Sequence, residues 1–361
     1  MAHIPAPDSV FIPAEKLRSF MESIFITLGL SVENARITTD VLLEADLRGI
    51  DTHGVGRLSI YADRLASGKQ NPEAPLSIVS EAPGTALLDG GAGMGQVVAV
   101  RAMEMAVRKA GDTGIAGIAV RNSSHFGFAG YFPLMAAEKG MIGMAVTNAR
   151  PSICPTFGTE PMLGTNPIAF AAPTDLEFPF LFDAATSIIQ RGTVELYDRL
   201  HMELPGDLVI GTSGETLTGP ASILEKMVNG SAALLPLGGR GEESGGHKGY
   251  GLAVMVEILS AALQNGPYLK HVTGVGLGHF FLAIDISKFL PVETFKSVAG
   301  AILRDLQNSR KECGRDRIFV PGEKEFLIRR ERMESGIPLP PDFLLKLDEM
   351  AAEVGVKPLA R

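Results

Sequence analysis

One segment of the chain combines a histidine with glycines at a predicted junction between a strand and a helix. Residues 115–120 are an apolar, strand-like run and residues 132–139 have a helical pattern, so His125 falls in the connection between them. Gly127 and Gly130 allow close backbone approach there. Because imidazole exchanges a proton at roughly pH 6.5, His125 is the candidate acid/base residue. A single histidine among Ser, Phe and Gly is also typical of a hydrogen-bonded structural residue, so other segments must decide between these interpretations.

A second constellation lies earlier, where His53, Arg57 and Tyr61 follow one another at intervals of four residues. On a helix, side chains at this spacing point in the same direction. A planar guanidinium holds a carboxylate through two parallel hydrogen bonds, and a tyrosine and a histidine can donate further ones. The spacing therefore predicts an anion-binding face. The alternative is a solvated helix face whose arginine extends into water.

The glycine-rich segments do not match the common phosphate-binding fingerprints. Residues 91–95 and 274–278 lack the G-x-G-x-x-G pattern, and no G-x-x-x-x-G-K-[ST] sequence occurs. Lys248, between glycines at a predicted helix start, suits a phosphate or pyrophosphate, although a plain loop before a helix is the alternative. Asp183 ends a predicted strand and could bind a ribose hydroxyl, orient an imidazole or cap a helix. The seven histidines show no metal-ligand spacing, so no metal is expected.

Helical and strand patterns divide the chain into three parts. The first 75 residues are predicted to be helical, with Ser31 as an N-cap. Residues 76–290 alternate between strand and helix patterns, which predicts a large mixed α/β domain that carries the active site. Residues 291–361 are helical again. We expect both chain ends to form one small helical domain beside the large one. Within the large domain, residues 201–220 are predicted to be a long surface excursion.

Composition excludes several classes of protein. A chain of 361 residues that is 45% hydrophobic and 20% charged is globular and long enough for two domains. The net charge of -8, without a basic block, argues against nucleic-acid binding. No apolar segment suits a signal peptide or a membrane span, and the two cysteines lack a disulfide or zinc pattern. We therefore expect a cytoplasmic protein without membrane contact.

Taken together, the chain resembles the type 2 malate/L-lactate dehydrogenase family, a group whose cofactor-binding domain is not a Rossmann fold. The family also includes sulfolactate and ureidoglycolate dehydrogenases and an imine-reducing branch. The resemblance covers nearly the whole chain and rests on six segments in the order of the family: residues 46–57 (DLRGIDTHGVGR), 122–127 (NSSHFG), 164–169 (GTNPIA), 183–187 (DAATS), 246–252 (GHKGYGL) and 320–323 (VPGE).

The resemblance implies roles for individual residues. His125 would be the proton donor and acceptor, and Arg57, His53 and Tyr61 would hold the substrate carboxylate. The cofactor would be NAD or NADP, with a slight preference for NAD, and the enzyme a homodimer or a higher homo-oligomer. The residues implied in cofactor binding are His53, Asn148, Ala149, Thr165, Asp183, Ala184, Ala185, Lys248, Gly249, Gly278 and His279.

The expected reaction is hydride transfer between NAD(P)H and a small 2-oxo acid, with malate/oxaloacetate or L-lactate/pyruvate as the substrate pair and sulfolactate as a further possibility. For a substrate with a second acidic group, Arg48, Arg150 and Arg191 are available as a second cation. Two other functions compete with this one. The first is an NADPH-dependent reductase of cyclic imines such as pyrroline- or piperideine-2-carboxylate. The second is a non-catalytic sensor that binds a dinucleotide on the same scaffold.

Overall fold

The central strand of the main sheet comes from late in the chain. We describe a computed structural model, and the structure describes residues 8–359. Seven strands form this sheet in the order β2-β3-β4-β10-β5-β6-β7. All neighbouring strands in it are antiparallel except β3 and β4. The seven strands are β2 (Ser77–Ala82), β3 (Thr85–Asp89), β4 (Ile115–Ser123), β5 (Met141–Thr147), β6 (Ile168–Ala172), β7 (Phe180–Ala184) and β10 (Leu277–Asp285).

In the described part of the chain, four strands lie outside the main sheet. They form two antiparallel pairs, β1 with β11 and β8 with β9. Their bounds are β1 (Val10–Ile12), β8 (Val209–Gly211), β9 (Ala232–Leu234) and β11 (Ile337–Leu339). The β1–β11 pair joins the two ends of the chain. The β8 strand lies inside the segment 201–220, so the prediction of a mere surface excursion there was wrong.

Within residues 8–359, eleven α-helices accompany these strands. Their bounds are α1 (Ala14–Thr27), α2 (Val32–Leu47), α3 (Leu58–Ala66), α4 (Gly95–Thr113), α5 (Tyr131–Ala137), α6 (Arg191–Arg199), α7 (Pro220–Val228), α8 (Gly246–Ser260), α9 (Val292–Asn308), α10 (Glu323–Ser335) and α11 (Pro341–Glu353). Ser31 caps α2 as predicted, because its hydroxyl accepts a hydrogen bond from the Asn34 amide at 3.2 Å. The predicted mixed α/β fold is confirmed.

The apolar residues gather in separate cores. One core holds buried residues from both chain ends, such as Leu17 in α1, Leu42 in α2 and Leu347 in α11. A second core fills the space between the sheet and helices α4 and α5, with Met103 and Phe281 fully buried. A third, around Val194, closes the unit made by α6, α7, β8 and β9. The helix α9 is tied to the loop at Asp175, which forms an ion pair with Arg304. The division of the chain at residues 75 and 290 stays a prediction.

Candidate active site

The imidazole of His125 forms a hydrogen bond with the phenol of Tyr61, which lies 64 residues earlier in the chain. His125 follows β4, and Tyr61 lies on α3, where it is buried. The Tyr61 hydroxyl lies 2.6 Å from His125 Nδ1, and the Gly127 amide nitrogen lies 3.3 Å from the same atom. Among the described residues, Nε2 of His125 has no hydrogen-bond partner. The ring is therefore held from one side, and its second nitrogen is left for a ligand.

His53 stands against the same imidazole. The two rings are nearly parallel, with centroids 5.6 Å apart and an interplanar angle of 21°. The Thr52 hydroxyl lies 2.8 Å from His53 Nδ1. Burial and the charge of Arg57 lower the pKa of His53 to about 4. His53 is thus uncharged at neutral pH and can contact a neutral ring without carrying a positive charge there.

The segment that carries His53 and Arg57 is not one continuous helix. Residues 51–54 form turns, a 3₁₀ helix spans Val55–Arg57, and α3 begins at Leu58. The Asp46 carboxylate accepts a hydrogen bond from the Val55 amide at 2.7 Å, and a Cβ on Gly54 would lie only 1.8 Å from its oxygen. The expectation that one helix carries His53 and Arg57 was therefore wrong, because the buried Asp46 carboxylate occupies the space of the first turn.

A buried arginine from the other end of the chain braces this turn. Arg332 on α10 donates to the Asp46 carbonyl oxygen and, at 2.5 Å, to the Asp51 carboxylate. Burial is the main cause that raises the pKa of Asp46 well above its usual value. The turn is thus fixed by α2 beneath it and by α10 beside it.

The pKa of His125 is lowered well below the usual value of a histidine. Burial is the main cause, and the neighbouring imidazoles of His53 and His279 and the positive charges of Arg57 and Arg64 add to it. Among the described residues, no carboxylate lies within ion-pair distance of Arg57, whose Nε donates to the Thr52 carbonyl oxygen at 2.6 Å. An anion bound beside His125 would offset these charges and favour the protonated ring.

A cleft of about 450 Å³ begins beside His53. It is open to solvent and is lined by side chains and backbone from the segments 50–53, 127–129, 165–167, 181–190 and 319–325. Of the residues implied in cofactor binding, it brings together His53, Thr165, Asp183 and Ala185. Ala184 stands half-buried between two of them.

Asp183 is one of two acidic residues that line this cleft, the other being Glu325. One carboxylate oxygen of Asp183 accepts a hydrogen bond from the Gly130 amide at 2.7 Å. The carboxylate is accessible from the cleft, but protein atoms surround it there, and this desolvation raises its pKa to about 6. No helix begins at residues 183–187, because α6 starts only at Arg191, so Asp183 does not act as a helix cap.

Other residues implied in cofactor binding have structural contacts. Both ring nitrogens of the fully buried His279 are engaged, Nδ1 by the Thr147 hydroxyl at 2.7 Å and Nε2 by the Ser123 hydroxyl at 2.8 Å. A Cβ on Gly278 would lie 1.9 Å from the Ser260 carbonyl oxygen, and one on Gly249 would lie 2.1 Å from the Leu237 carbonyl oxygen. These three positions belong to packed strands and helices and do not line the cleft.

The Asn148–Ala149 turn is held from behind by a buried carboxylate. Glu257 on α8 accepts hydrogen bonds from Asn166 Nδ2 at 2.8 Å and from the Leu269 amide at 2.9 Å. Asn166 in turn accepts from the Ala149 amide at 3.2 Å, and Asn148 accepts from the Gly278 amide at 3.0 Å. Ala149 is half-exposed, and Lys248 is exposed in the first turn of α8.

The sequence analysis missed several polar residues at this site. Gln70 donates to the Ser124 hydroxyl at 2.6 Å, and the buried side chain of Gln96 lies beside Tyr61. Lys324 and Glu325 line the far wall of the cleft. Arg64 lies on α3 beyond Tyr61. Only Arg64 had a local signal, because it follows Arg57 and Tyr61 on the same helix face.

The cleft suits a nicotinamide dinucleotide. Asp183 offers a carboxylate for ribose hydroxyls, Lys324 offers a cation for phosphates, and Phe128 and Leu181 offer apolar surface for a flat ring. Among residues 8–359, no group of three or more His, Cys, Asp and Glu side chains could hold a metal ion.

Known proteins match this chain over nearly its whole length. The sequence profile of a family described as malate/L-lactate dehydrogenase matches residues 12–348. A malate dehydrogenase of Pyrococcus abyssi is 47% identical over 355 residues, which cover 97% of this chain and 96% of that protein. A crystal structure of malate dehydrogenase from Entamoeba histolytica is 40% identical, with a TM-score of 0.94 over 96% of this chain and 99% of that one. A structure of sulfolactate dehydrogenase from Methanocaldococcus jannaschii is 34% identical, with a TM-score of 0.87 over 96% and 98%.

Proposed function

The chain belongs to the malate/L-lactate dehydrogenase family, and we propose that it interconverts a small 2-oxo acid and the matching 2-hydroxy acid, with oxaloacetate/malate and pyruvate/L-lactate as the candidate pairs. The observation that carries this proposal is the cluster of His125, Tyr61 and Arg57 beside an open cleft of about 450 Å³. A general acid/base, a group that orients it and a carboxylate-binding cation are what the reduction of a 2-oxo acid needs.

His125 handles the proton in this proposal. Protonated at Nε2, it donates to the carbonyl oxygen as negative charge grows there; neutral, it accepts the proton of a hydroxyl group. Tyr61 supports both states, because Nδ1 carries a proton in each of them and donates it to the Tyr61 hydroxyl oxygen. The remaining carboxylate of the substrate pairs with Arg57, which fixes the position of C2 relative to His125.

Family membership implies a nicotinamide dinucleotide, which when bound supplies or accepts the hydride. We propose that His53, Thr165, Asp183 and Ala185 hold it, because these residues line the cleft next to His125. Asn148, Ala149, Ala184 and Lys248 remain proposed contacts of the same group. NAD is preferred in this proposal, since the Asp183 carboxylate would repel an additional ribose phosphate and is charged above about pH 6.

We further propose a cytoplasmic enzyme. Both cysteines are free thiols, Cys154 buried and Cys313 exposed, which suits a reducing compartment. Within the described range, no helix combines the length and the apolar character that crossing a bilayer requires.

The substitution His125→Ala tests the proposed chemistry. We expect the turnover number to fall by at least about a hundredfold, because general acid/base catalysis is lost, while Arg57→Ala chiefly raises KM for the 2-oxo acid. Absorbance of NADH and of NADPH would be followed with oxaloacetate, pyruvate and pyrroline-2-carboxylate as substrates. His271→Ala, an exposed histidine outside the cluster, serves as the control and should retain full activity.

Three outcomes would contradict the proposal. Unchanged turnover of His125→Ala at saturating substrate would remove His125 from the chemistry. Turnover of the cyclic imine alone would reassign the substrate class. Binding of the cofactor without turnover of any of the three substrates would indicate a dinucleotide sensor.

A further inference from the structure

Arg64 is a half-buried cation without a partner for its charge. In the part of the chain that the structure describes, no carboxylate lies within ion-pair distance of it, and its Nη1 is sealed from water without a hydrogen-bond acceptor. The hydrogen bonds to the Arg64 carbonyl oxygen from Ser67 and Gln70 involve its backbone only. A guanidinium stays charged in proteins, so a sequestered donor of this kind destabilises the structure unless an anion meets it.

The position of Arg64 on α3 points it toward the site. Residues 57, 61 and 64 are separated by four and three positions, so they share one helix face, with Tyr61 between the two arginines. Tyr61 touches His125, and the charges of both arginines reach the imidazole, where they lower its pKa. Arg57 and Arg64 are therefore both close enough to the proposed acid/base residue for their charges to act on it.

A third guanidinium adds to the positive charge of this region. Arg150 donates to the Gly274 carbonyl oxygen at 2.7 Å and has no carboxylate within ion-pair distance among the described residues. Its charge and that of Arg57 lower the pKa of Arg64, in addition to the effect of burial. A substrate with one carboxylate can pair with one of these groups only and leaves the others uncompensated.

We infer that Arg64 binds a second anionic group of the substrate, so that this enzyme prefers a dianionic 2-oxo acid such as oxaloacetate over the monoanionic pyruvate. The inference rests on the proposed function, in which Arg57 takes the carboxylate next to C2. Arg64, two helical turns further along α3, then takes the carboxylate at the other end. A sulfonate has the same charge and a similar set of oxygen acceptors, so 3-sulfopyruvate belongs to the same chemical class.

The test compares Arg64→Met and Arg64→Lys with the wild-type protein on oxaloacetate, 3-sulfopyruvate and pyruvate. We expect Arg64→Met to lower kcat/KM for both dianionic substrates by about 10- to 100-fold, mainly through KM, because a charge-assisted hydrogen bond is lost. Pyruvate should change by less than about threefold, and Arg64→Lys should recover part of the loss. Lys69→Met removes an exposed cation near the end of the same helix and should leave the substrate preference unchanged.

The outcomes separate this inference from the proposed function. Wild-type protein that reduces pyruvate at least as well as oxaloacetate, or an Arg64→Met variant that loses activity equally on all three substrates, would overturn the inference and leave the proposed function standing. Wild-type protein that reduces none of them would overturn both. If the variant does not fold, a measurement on the wild-type protein alone still tests the inference. Malate should inhibit reduction of the 2-oxo acid at a concentration at least about tenfold lower than L-lactate does. Equal inhibition by malate and L-lactate would contradict the inference.

Discussion

The imidazole of His125 is set up to be neutral before a substrate arrives. Burial and the surrounding positive charges lower its pKa well below the usual value. Oxidation of a hydroxy acid needs a histidine that can accept a proton. A histidine with an unperturbed pKa is in this neutral form only above about pH 6.5. In this site the neutral, proton-accepting form persists to lower pH. Reduction needs the protonated ring, which an anionic substrate next to Arg57 would favour.

The pH dependence of catalysis follows from this charge arrangement. For oxidation of malate, we expect kcat/KM to be constant from neutral to alkaline pH and to fall only below about pH 6.5, because the free enzyme loses its base on protonation. Removing one positive charge with Arg64→Met should move this acid limb to higher pH. Initial rates with NAD between pH 5 and 9 provide the measurement. An acid limb above the usual histidine pKa in the wild-type protein would contradict the described environment of His125.

At the scale of elements, the turn at residues 51–54 decides where the charged groups stand. It is supported by the Asp46 carboxylate from α2, by Arg332 from α10 and by the absence of a side chain at Gly54. None of these three residues forms a hydrogen bond or a ring contact with His125. They are positioning residues, and their effect on activity should pass through His53 and Arg57.

The substitution Gly54→Ala tests this support. The added Cβ would overlap the Asp46 carboxylate, so we expect a loss of about 1–3 kcal/mol in the free energy of unfolding. We also expect KM for the 2-oxo acid to rise by at least about tenfold, because a displaced Arg57 loses its pairing geometry. Denaturant unfolding and steady-state kinetics measure the two effects.

A matched glycine provides the control for Gly54→Ala. Gly251 lies exposed inside α8 with open space around its Cα, so Gly251→Ala should stabilise the protein by about 0.5–1 kcal/mol without changing KM. If Gly54→Ala behaved like Gly251→Ala, the turn would not depend on the close contact between Gly54 and Asp46.

For the whole molecule, we propose that the outer surface of α8 mediates the self-association that the family resemblance implies. Leu252, Met255 and Ile258 are exposed apolar residues on this helix, and Tyr268 after it is also exposed. Beside them lies a mainly apolar cavity of about 710 Å³. Apolar surface of this kind is typical of a protein interface. These observations support the proposal of a homodimer or a higher homo-oligomer, as the family resemblance implies.

The substitution Ile258→Glu tests self-association. Ile258 is 57% exposed in the single chain, and a charge at this position would disfavour burial against a second copy. We expect sedimentation velocity to show a dimer or larger species for the wild-type protein and a shift toward monomer for the variant. Val228→Glu, at a position that is 76% exposed on α7, should leave the sedimentation coefficient unchanged. A wild-type protein that sediments as a monomer at micromolar concentration would refute the proposal.

Local patterns in the amino-acid sequence determined the class of fold and singled out the residues that we propose for the chemistry. Apolar runs such as 115–120 and 141–147 predicted β4 and β5, because a short buried strand needs only its own side chains to be recognised. His125, Arg57 and Tyr61 were identified from residue type and spacing. The predicted helical character of residues 291–361 agrees with α9, α10 and α11, whereas the short strands β1 and β11 were missed, since three residues carry too little pattern.

Only the tertiary structure decided which of these residues meet. Tyr61 contacts His125 because the helical unit packs against the end of β4, and no local pattern encodes a contact across 64 residues. Because β10 lies between β4 and β5, His279 contacts two hydroxyl groups in the core. A histidine is equally suited to contact a ligand, so the residue type alone could not predict this position. Arg64 likewise lacks a carboxylate partner because the fold places the described carboxylates beyond ion-pair distance of it. This arrangement is a property of the folded chain and cannot be read from any one segment.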